Sequence, residues 1–138
     1  MQALYTASAT ATGDGRNGHT RTSDGTLDLD VRVPKEMGGP GGATNPEQLF
    51  AAGYAACFHS ALKVAATRNK ITLTDTAITV DVGIGPNGAG GYGLQVAIEA
   101  ELPGVDQATT EDLLAKAHQI CPYSNAIRGN VDVTLKAA

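Results

Sequence analysis

The chain contains 138 residues, two cysteines, no tryptophan and a formal net charge of −4. That length allows one domain with one hydrophobic core and is too short for two full domains. The acidic balance, with lysines and arginines scattered along the chain, argues against a nucleic-acid partner.

Two strands are predicted in the first third of the chain. Small side chains alternate over residues 3–12, and apolar residues alternate with charged ones over residues 27–33, which indicates a half-buried strand. Glycine-rich segments at 13–18 and 23–25 predict turns between them. A loop rich in proline and glycine follows over residues 34–44 and leads directly into a helix.

The first helix is predicted over residues 45–68. Asn45 is a suitable N-cap, Pro46 suits the first helical position, and Gln48 is placed to close a capping box. The segment is apolar on nearly all sides, which is typical of a helix that is buried on most sides. In so small a chain, we expect a second subunit to provide that cover.

The rest of the chain predicts three more strands and a second helix. Alternating runs at 78–84 and 94–102 flank a glycine-rich turn and predict an antiparallel hairpin. An amphipathic helix is predicted over residues 107–120, followed by a short helical turn from Ser124 and a last strand over residues 131–135. The order β-β-α-β-β-α-β predicts a single α+β domain over the whole chain.

We expect a cytoplasmic protein. Residues 1–5 lack the charged and apolar regions of a signal peptide, and no apolar run approaches the ~20 residues needed to span a bilayer. Membrane partners are therefore not expected. Because cytosolic thiols are kept reduced, the two cysteines are more consistent with catalytic or inert thiols than with a structural disulfide.

Cys57 lies inside the first predicted helix, and Cys121 ends the second amphipathic run, so the two thiols belong to two different core elements. Two such thiols could form a redox pair, in which one attacks a substrate and the other resolves the product. Free cysteine is also among the most buried residue types, so two inert core thiols are the alternative. A reactive thiol needs a lowered pKa, which nearby cations or a helix N-terminus can provide.

Arg16 is the best candidate to activate Cys57. Cys57 lies about three turns into its own helix, too far from the N-terminus of that helix to benefit from it, and His59 points to another face. Glu47 suits the positive end of the helix dipole, and its functional interpretation is as an acceptor that fixes Arg16. Since Glu47 and Cys57 are about 15 Å apart along one helix, Glu47 would serve a Cys57 of another subunit unless the helix breaks.

No metal or cofactor is predicted. The three histidines, His19, His59 and His118, form no His-x-x-x-His pair, and the two cysteines form no Cys-x-x-Cys pair, so the usual ligand spacings are missing. The glycine-rich loops lack the lysine of a phosphate-binding loop.

Two motifs stand out: NPEQLFAAGY over residues 45–54, followed by ACF over 56–58, and CPYSNA over 121–126. They resemble the motifs of the Ohr/OsmC family of thiol peroxidases. The organic hydroperoxide resistance (Ohr) branch is favoured by three further matches, LYTA at 4–7, GRNG at 15–18 and GNVDV at 129–133. The resemblance covers nearly the whole chain.

The resemblance implies an intertwined homodimer with antiparallel sheets, two long buried helices and active sites at the subunit interface. Cys57 is implied as the peroxidatic cysteine and Cys121 as the resolving cysteine. Arg16 and Glu47 match the pair that activates the thiolate in this family. The loop before Arg16 is one residue longer than the usual spacing, which leaves Arg21 as the competing arginine.

The implied activity is the reduction of organic hydroperoxides to alcohols. Cys57 would become a sulfenic acid, Cys121 would condense with it to a disulfide, and a dithiol, typically a protein-bound dihydrolipoyl group, would reduce that disulfide. Apolar residues such as Phe58 and the loop 38–43 would line the pocket. Two other functions stay open: a non-enzymatic redox sensor, and a ligand-binding dimer with two inert cysteines.

Overall fold

A computed structural model describes all residues, Met1–Ala138, which form two compact units. The first unit, Met1–Leu49, contains an antiparallel three-stranded sheet. Its strands are β1 (Ala9–Thr12), β2 (His19–Thr22) and β3 (Asp28–Asp30). The predicted single domain over the whole chain stays a prediction.

The first sheet differs from its prediction at three places. Residues 3–8 are not part of β1, and β3 is shorter than predicted, although Val31 continues it as an isolated bridge to Thr44. β2 was not predicted at all, because His19–Thr22 has no apolar residue and therefore no hydrophobic alternation. Hydrogen bonding to β1 and β3 on its two sides forms this strand.

Helix α1 (Pro46–Arg68) begins where the sequence predicts. The Asn45 side chain accepts a hydrogen bond from the Gln48 backbone N–H at 2.9 Å, which confirms the N-cap. The predicted capping box is wrong, since the Gln48 side chain accepts a hydrogen bond from Thr44 Oγ1 at 2.9 Å. α1 is unbroken over its 23 residues.

The second unit, Phe50–Ala138, contains a mixed three-stranded sheet with strand order β4-β5-β6. The predicted hairpin is confirmed by the antiparallel pairing of β4 (Ala77–Pro86) with β5 (Tyr92–Glu101). The last strand, β6 (Val133–Ala137), pairs with β5 in parallel, so this sheet is mixed, whereas the resemblance implied antiparallel sheets. A parallel neighbour needs a crossover connection, and here helices α2 (Gln107–Ile120) and α3 (Pro122–Ile127) provide it.

The main core lies in the second unit, where α1 and α2 pack with the second sheet. The largest fully buried side chains there are Tyr54, Phe58, Leu62, Ile98, Leu113, Leu114, Cys121 and Ser124. Within one chain, α1 is buried along one face only, and apolar residues such as Val64 (40% exposed) remain on the other. Cover of that face by a second subunit stays a prediction.

Helix α1 also corrects the expectation that no apolar run approaches a bilayer-spanning length. By length and composition alone, Pro46–Arg68 is sufficient to cross a membrane. Core helices pass the same test, and six α1 residues belong to the core cluster: Tyr54, Phe58, Ala61, Leu62, Ala65 and Ala66. One face of α1 therefore packs into the core of the second unit.

Candidate active site

The two cysteines meet in the second unit, although they are 64 residues apart in the sequence. Cys121 Sγ lies 3.5 Å from Cys57 Sγ in hydrogen-bonding geometry, and both are free thiols. Cys57 is half-buried on α1, whereas Cys121 is fully buried. Two thiols at this separation need only a small movement to form a disulfide bond.

Cys121 is held at the corner between two helices. Its N–H donates to the Ala117 carbonyl at 2.8 Å, which closes the last turn of α2. Its own carbonyl accepts from the Asn125 N–H at 2.9 Å, which opens α3. Pro122 at the first position of α3 ends the preceding helix, because proline has no N–H to continue it.

The surroundings of Cys57 act on its pKa in opposite directions. Burial raises the pKa of the Cys57 thiol most strongly, and the neighbouring Cys121 raises it further. A hydrogen bond from the Tyr123 backbone N–H lowers the pKa of Cys57. The balance leaves the pKa of Cys57 raised, and a nearby positive group would lower it.

Sequence reasoning missed the Tyr123 donor. The only helix N-terminus considered from the sequence was that of α1, whereas the N–H that reaches Cys57 comes from the first turn of α3. The first N–H groups of a helix have no partner inside that helix and are free for such contacts. The Cys-Pro pair at residues 121–122 was the available signal, because it indicates a new helix start next to Cys121.

Three aromatic rings, those of Phe50, Tyr54 and Tyr123, pack against one another on the segments next to the two cysteines. The Tyr123 ring packs against Phe50 and Tyr54, with centroid separations of 5.9 and 5.6 Å. Gly53 permits this approach, since a Cβ there would lie 2.9 Å from the Tyr123 hydroxyl. Phe58 was expected to line an open pocket, but it has no exposed surface and belongs to the core. The other expected lining, the loop 38–43, belongs to the first unit and stays a prediction.

Arg16 and Glu47 meet in the first unit. Arg16 Nη1 and Nη2 each donate to one Glu47 carboxylate oxygen, both at 2.8 Å. Arg16 lies in a short 3-10 turn (Gly15–Asn17), and Glu47 lies in the first turn of α1. The hydrogen bond from Arg16 is the main cause that lowers the pKa of Glu47 below its ordinary value. The pair therefore carries both charges at neutral pH.

The loop that carries Arg16 is tied to the chain after β3. The Asn17 side chain accepts from the Val33 N–H at 2.9 Å, and the Gly18 carbonyl accepts from the Arg32 guanidinium at 2.9 Å. These two hydrogen bonds hold the loop that carries Arg16 against the segment that follows β3. Gly18 itself leaves no space for a side chain, since a Cβ there would lie 2.2 Å from the Thr12 carbonyl oxygen.

Arg21, the competing arginine, has a different partner. Its Nε lies 3.5 Å from a carboxylate oxygen of Asp28 on the neighbouring strand β3. Both side chains are more than half exposed. Of the two arginines, Arg16 is hydrogen-bonded to Glu47, whereas Arg21 is paired with Asp28.

The three histidines make separate contacts. His19 lies between the carboxylates of Asp30 and Asp28, and His59 Nε2 lies 2.7 Å from Thr76 Oγ1. His118 has a buried Nδ1 without a hydrogen-bond partner, and burial is the main cause that lowers its pKa. None of these contacts involves the cysteines.

Comparison with known proteins shows the family of this chain. A model of the OsmC-like protein family matches residues 39–136. An organic hydroperoxide resistance protein of Xanthomonas axonopodis pv. citri is 54% identical over 137 residues, which cover 98% of this chain and 95% of that protein. The organic hydroperoxide resistance protein OhrA of Bacillus subtilis is 46% identical, with 99% and 98% of the two chains covered.

A solved structure agrees with this result. The crystal structure of an organic hydroperoxide resistance protein from Legionella pneumophila superimposes with a TM-score of 0.94 at 55% identity, covering 99% of each chain. The chain belongs to the OsmC-like family. Within that family, its relatives place it in the organic hydroperoxide resistance branch, which confirms the resemblance found in the sequence.

Proposed function

We propose that this protein is a cysteine-based peroxidase that reduces organic hydroperoxides to alcohols. The observation that carries the proposal is the 3.5 Å separation of Cys57 Sγ and Cys121 Sγ. The names of its relatives, organic hydroperoxide resistance proteins, support this substrate class. A role in the response to oxidative stress agrees with the paired thiols and with the names of the relatives.

The reaction begins at Cys57, the more accessible of the two thiols. Its thiolate attacks the distal oxygen of the hydroperoxide, the O–O bond breaks, and the alkoxide takes a proton and leaves as an alcohol. Cys57 is then a sulfenic acid. Cys121 attacks that sulfur, a disulfide forms, and the hydroxyl group leaves as water. The buried Cys121 protects Cys57 from further oxidation in this scheme.

A dithiol completes the cycle. One of its thiolates attacks the Cys57–Cys121 disulfide and its second thiol displaces the mixed disulfide, so that both protein cysteines return to the reduced state. A protein-bound dihydrolipoyl group is the reductant that we propose. A cytoplasmic location agrees with this step, since it requires a reducing environment. The scheme includes no metal or cofactor on this chain.

Arg16 is the proposed activator of Cys57. A positive group beside Cys57 would lower its raised pKa, and Glu47 holds the Arg16 guanidinium in a fixed orientation by two hydrogen bonds. Since α1 is unbroken, Glu47 lies about 15 Å along the helix axis from Cys57 of its own chain, too far to serve the same site. We therefore propose a homodimer in which each site combines Arg16 and Glu47 of one subunit with Cys57 and Cys121 of the other.

A kinetic comparison tests the proposal. Turnover of an organic hydroperoxide such as tert-butyl hydroperoxide is measured with dihydrolipoamide as reductant, and hydrogen peroxide is the matched control substrate. A peroxidase of this kind turns over the organic substrate faster. Stoichiometric oxidation without turnover would favour a redox sensor, and thiols that resist both the peroxide and an alkylating probe would favour a binding protein with inert cysteines.

A further inference from the structure

A fully buried contact joins α1, which carries Cys57, to α3, the helix that begins directly after Cys121. The Tyr54 hydroxyl on α1 lies 2.6 Å from the Ser124 hydroxyl on α3, and neither residue has any exposed surface. Each hydroxyl is therefore the other's partner in a region that water does not reach. Pulling the two helices apart would leave both groups without that partner, which is costly for buried polar groups.

The Tyr54–Ser124 contact lies next to the contact between the two thiols. Tyr54 precedes Cys57 by three residues, and such residues share one helix face. Ser124 follows Cys121 by three residues, and the carbonyl of Cys121 begins the same helix, α3. The Tyr54–Ser124 hydrogen bond therefore lies about one helical turn from the Cys57–Cys121 contact and joins the same two segments.

The second step of the proposed reaction depends on the distance between those segments. Cys121 Sγ must approach the sulfur of the Cys57 sulfenic acid from a 3.5 Å separation in the reduced protein to a bond length of about 2.05 Å. The S–O bond breaks as the S–S bond forms, and the proton of Cys121 leaves with the hydroxyl group as water. Reactions of this kind are sensitive to small displacements of the reacting atoms.

We propose that Tyr54 and Ser124 are positioning residues that hold the resolving Cys121 against Cys57 while the disulfide forms. This inference rests on the proposed peroxidase function. The two hydroxyls take no part in bond making or breaking. They keep α3 on α1, so that Cys121 reaches the sulfenic acid before a second peroxide molecule does.

Three variants test this role. Tyr54→Phe keeps the ring and its packing against Tyr123 at 5.6 Å, Ser124→Ala removes the other hydroxyl, and the double variant removes both. One equivalent of tert-butyl hydroperoxide is added to each reduced protein to measure the rate of disulfide formation by quenched mass spectrometry. An excess is added in a second experiment to measure the sulfinic fraction of Cys57, because that oxidation consumes a second peroxide molecule. Tyr92→Phe is the control, because it removes the same hydroxyl group at a position that is 74% exposed.

The expected result separates positioning from simple stabilisation. Disulfide formation slows roughly three- to tenfold in all three variants, from the loss of one buried hydrogen bond, and more Cys57 reaches the sulfinic state. The second-order attack on the hydroperoxide stays near the wild-type rate, and Tyr92→Phe behaves as wild type. Unfolding measurements find the double variant more stable than either single one, since no buried hydroxyl is left alone.

Two outcomes would overturn the inference. One is disulfide formation at the wild-type rate in Tyr54→Phe and Ser124→Ala. The other is a rate that recovers in the double variant together with its stability, which would make the contact merely structural. A wild-type protein that forms no Cys57–Cys121 disulfide would instead contradict the proposed function, so the two failures are distinguishable.

Discussion

Arg16 and Glu47 are joined by two parallel hydrogen bonds of 2.8 Å, one from each terminal nitrogen of the guanidinium. Glu47 is the more buried partner, with 13% of its side chain exposed, against 40% for Arg16. A bidentate pair fixes the plane of the guanidinium as well as its position. Glu47 therefore sets the direction in which Arg16 presents its charge.

The first prediction concerns this charge. Arg16→Ala should raise the pKa of Cys57 and slow the attack on an organic hydroperoxide, because the thiolate loses its proposed cationic neighbour. A charge-assisted hydrogen bond contributes about 1.5–3 kcal/mol, which corresponds to roughly ten- to hundredfold in rate. The pH dependence of Cys57 alkylation measures the pKa directly, and its midpoint should move to higher pH in the variant.

Arg21→Ala is the matched control for Arg16→Ala, since it removes an arginine that is paired with Asp28 instead of Glu47. It should leave both the alkylation profile and the peroxidase rate near wild type. Unchanged rates in Arg16→Ala together with a large loss in Arg21→Ala would transfer the role to Arg21.

The second prediction concerns the pH dependence of stability. Because its pKa is lowered in the folded protein, Glu47 stabilises the fold above its unfolded pKa of about 4.3, and this contribution is lost as the pH falls through the folded pKa. Glu47→Gln should therefore be less stable than wild type at pH 7. Urea unfolding at pH 7 and below pH ~4 measures the difference, which should shrink at acid pH; a difference that is constant with pH would contradict the assignment.

Much of the fold could be predicted from the sequence because its strongest elements have clear periodicity. The start of α1 is marked by Asn45 and Pro46, and the hairpin of β4 and β5 by alternation around a glycine-rich turn. β2 lacks any such signal, since its residues have no apolar member and are held by hydrogen bonds to both neighbours. The parallel direction of β6 depends on the path of the crossover, which no local pattern encodes.

The candidate site shows the same division. Cys57, Cys121, Arg16 and Glu47 could be selected because their residue types and motifs carry recognisable chemistry. The contacts that tune them come from packing between distant segments. The Tyr123 N–H reaches Cys57 only because α3 packs on α1, and Phe58 is buried because its position on α1 faces the core.

The third prediction concerns the attacking thiol. Cys57→Ser should abolish turnover of organic hydroperoxides, because a serine hydroxyl remains protonated at neutral pH and is a far weaker nucleophile. Peroxide consumption with dihydrolipoamide as reductant measures this loss. Turnover that persists in the variant would show that Cys57 is not the attacking residue.

The fourth prediction concerns the resolving thiol. Cys121→Ser should leave the first attack intact and block recycling by a dithiol, because no second cysteine is available to form the disulfide. Mass spectrometry after peroxide treatment should find Cys57 as sulfinic and sulfonic acid. Normal cycling of this variant with dihydrolipoamide would exclude Cys121 as the resolving residue.

The last prediction tests whether each site draws residues from two subunits. Arg16→Ala and Cys57→Ser proteins, each of low activity, are mixed under conditions that exchange subunits. In a mixed dimer with sites of the proposed composition, one site combines the intact Cys57 of the first variant with the intact Arg16 of the second. The other site lacks both residues.

Activity of the mixture should therefore rise above that of either variant alone, toward half the wild-type value per dimer that contains both variants. Differently tagged subunits, isolated as the mixed species, verify that exchange took place. If Arg16 and Cys57 of one site belonged to the same chain, every site in the mixed dimer would lack one of them. Absence of recovery in a verified mixed dimer would thus place both residues on one chain and contradict the proposed exchange of site residues.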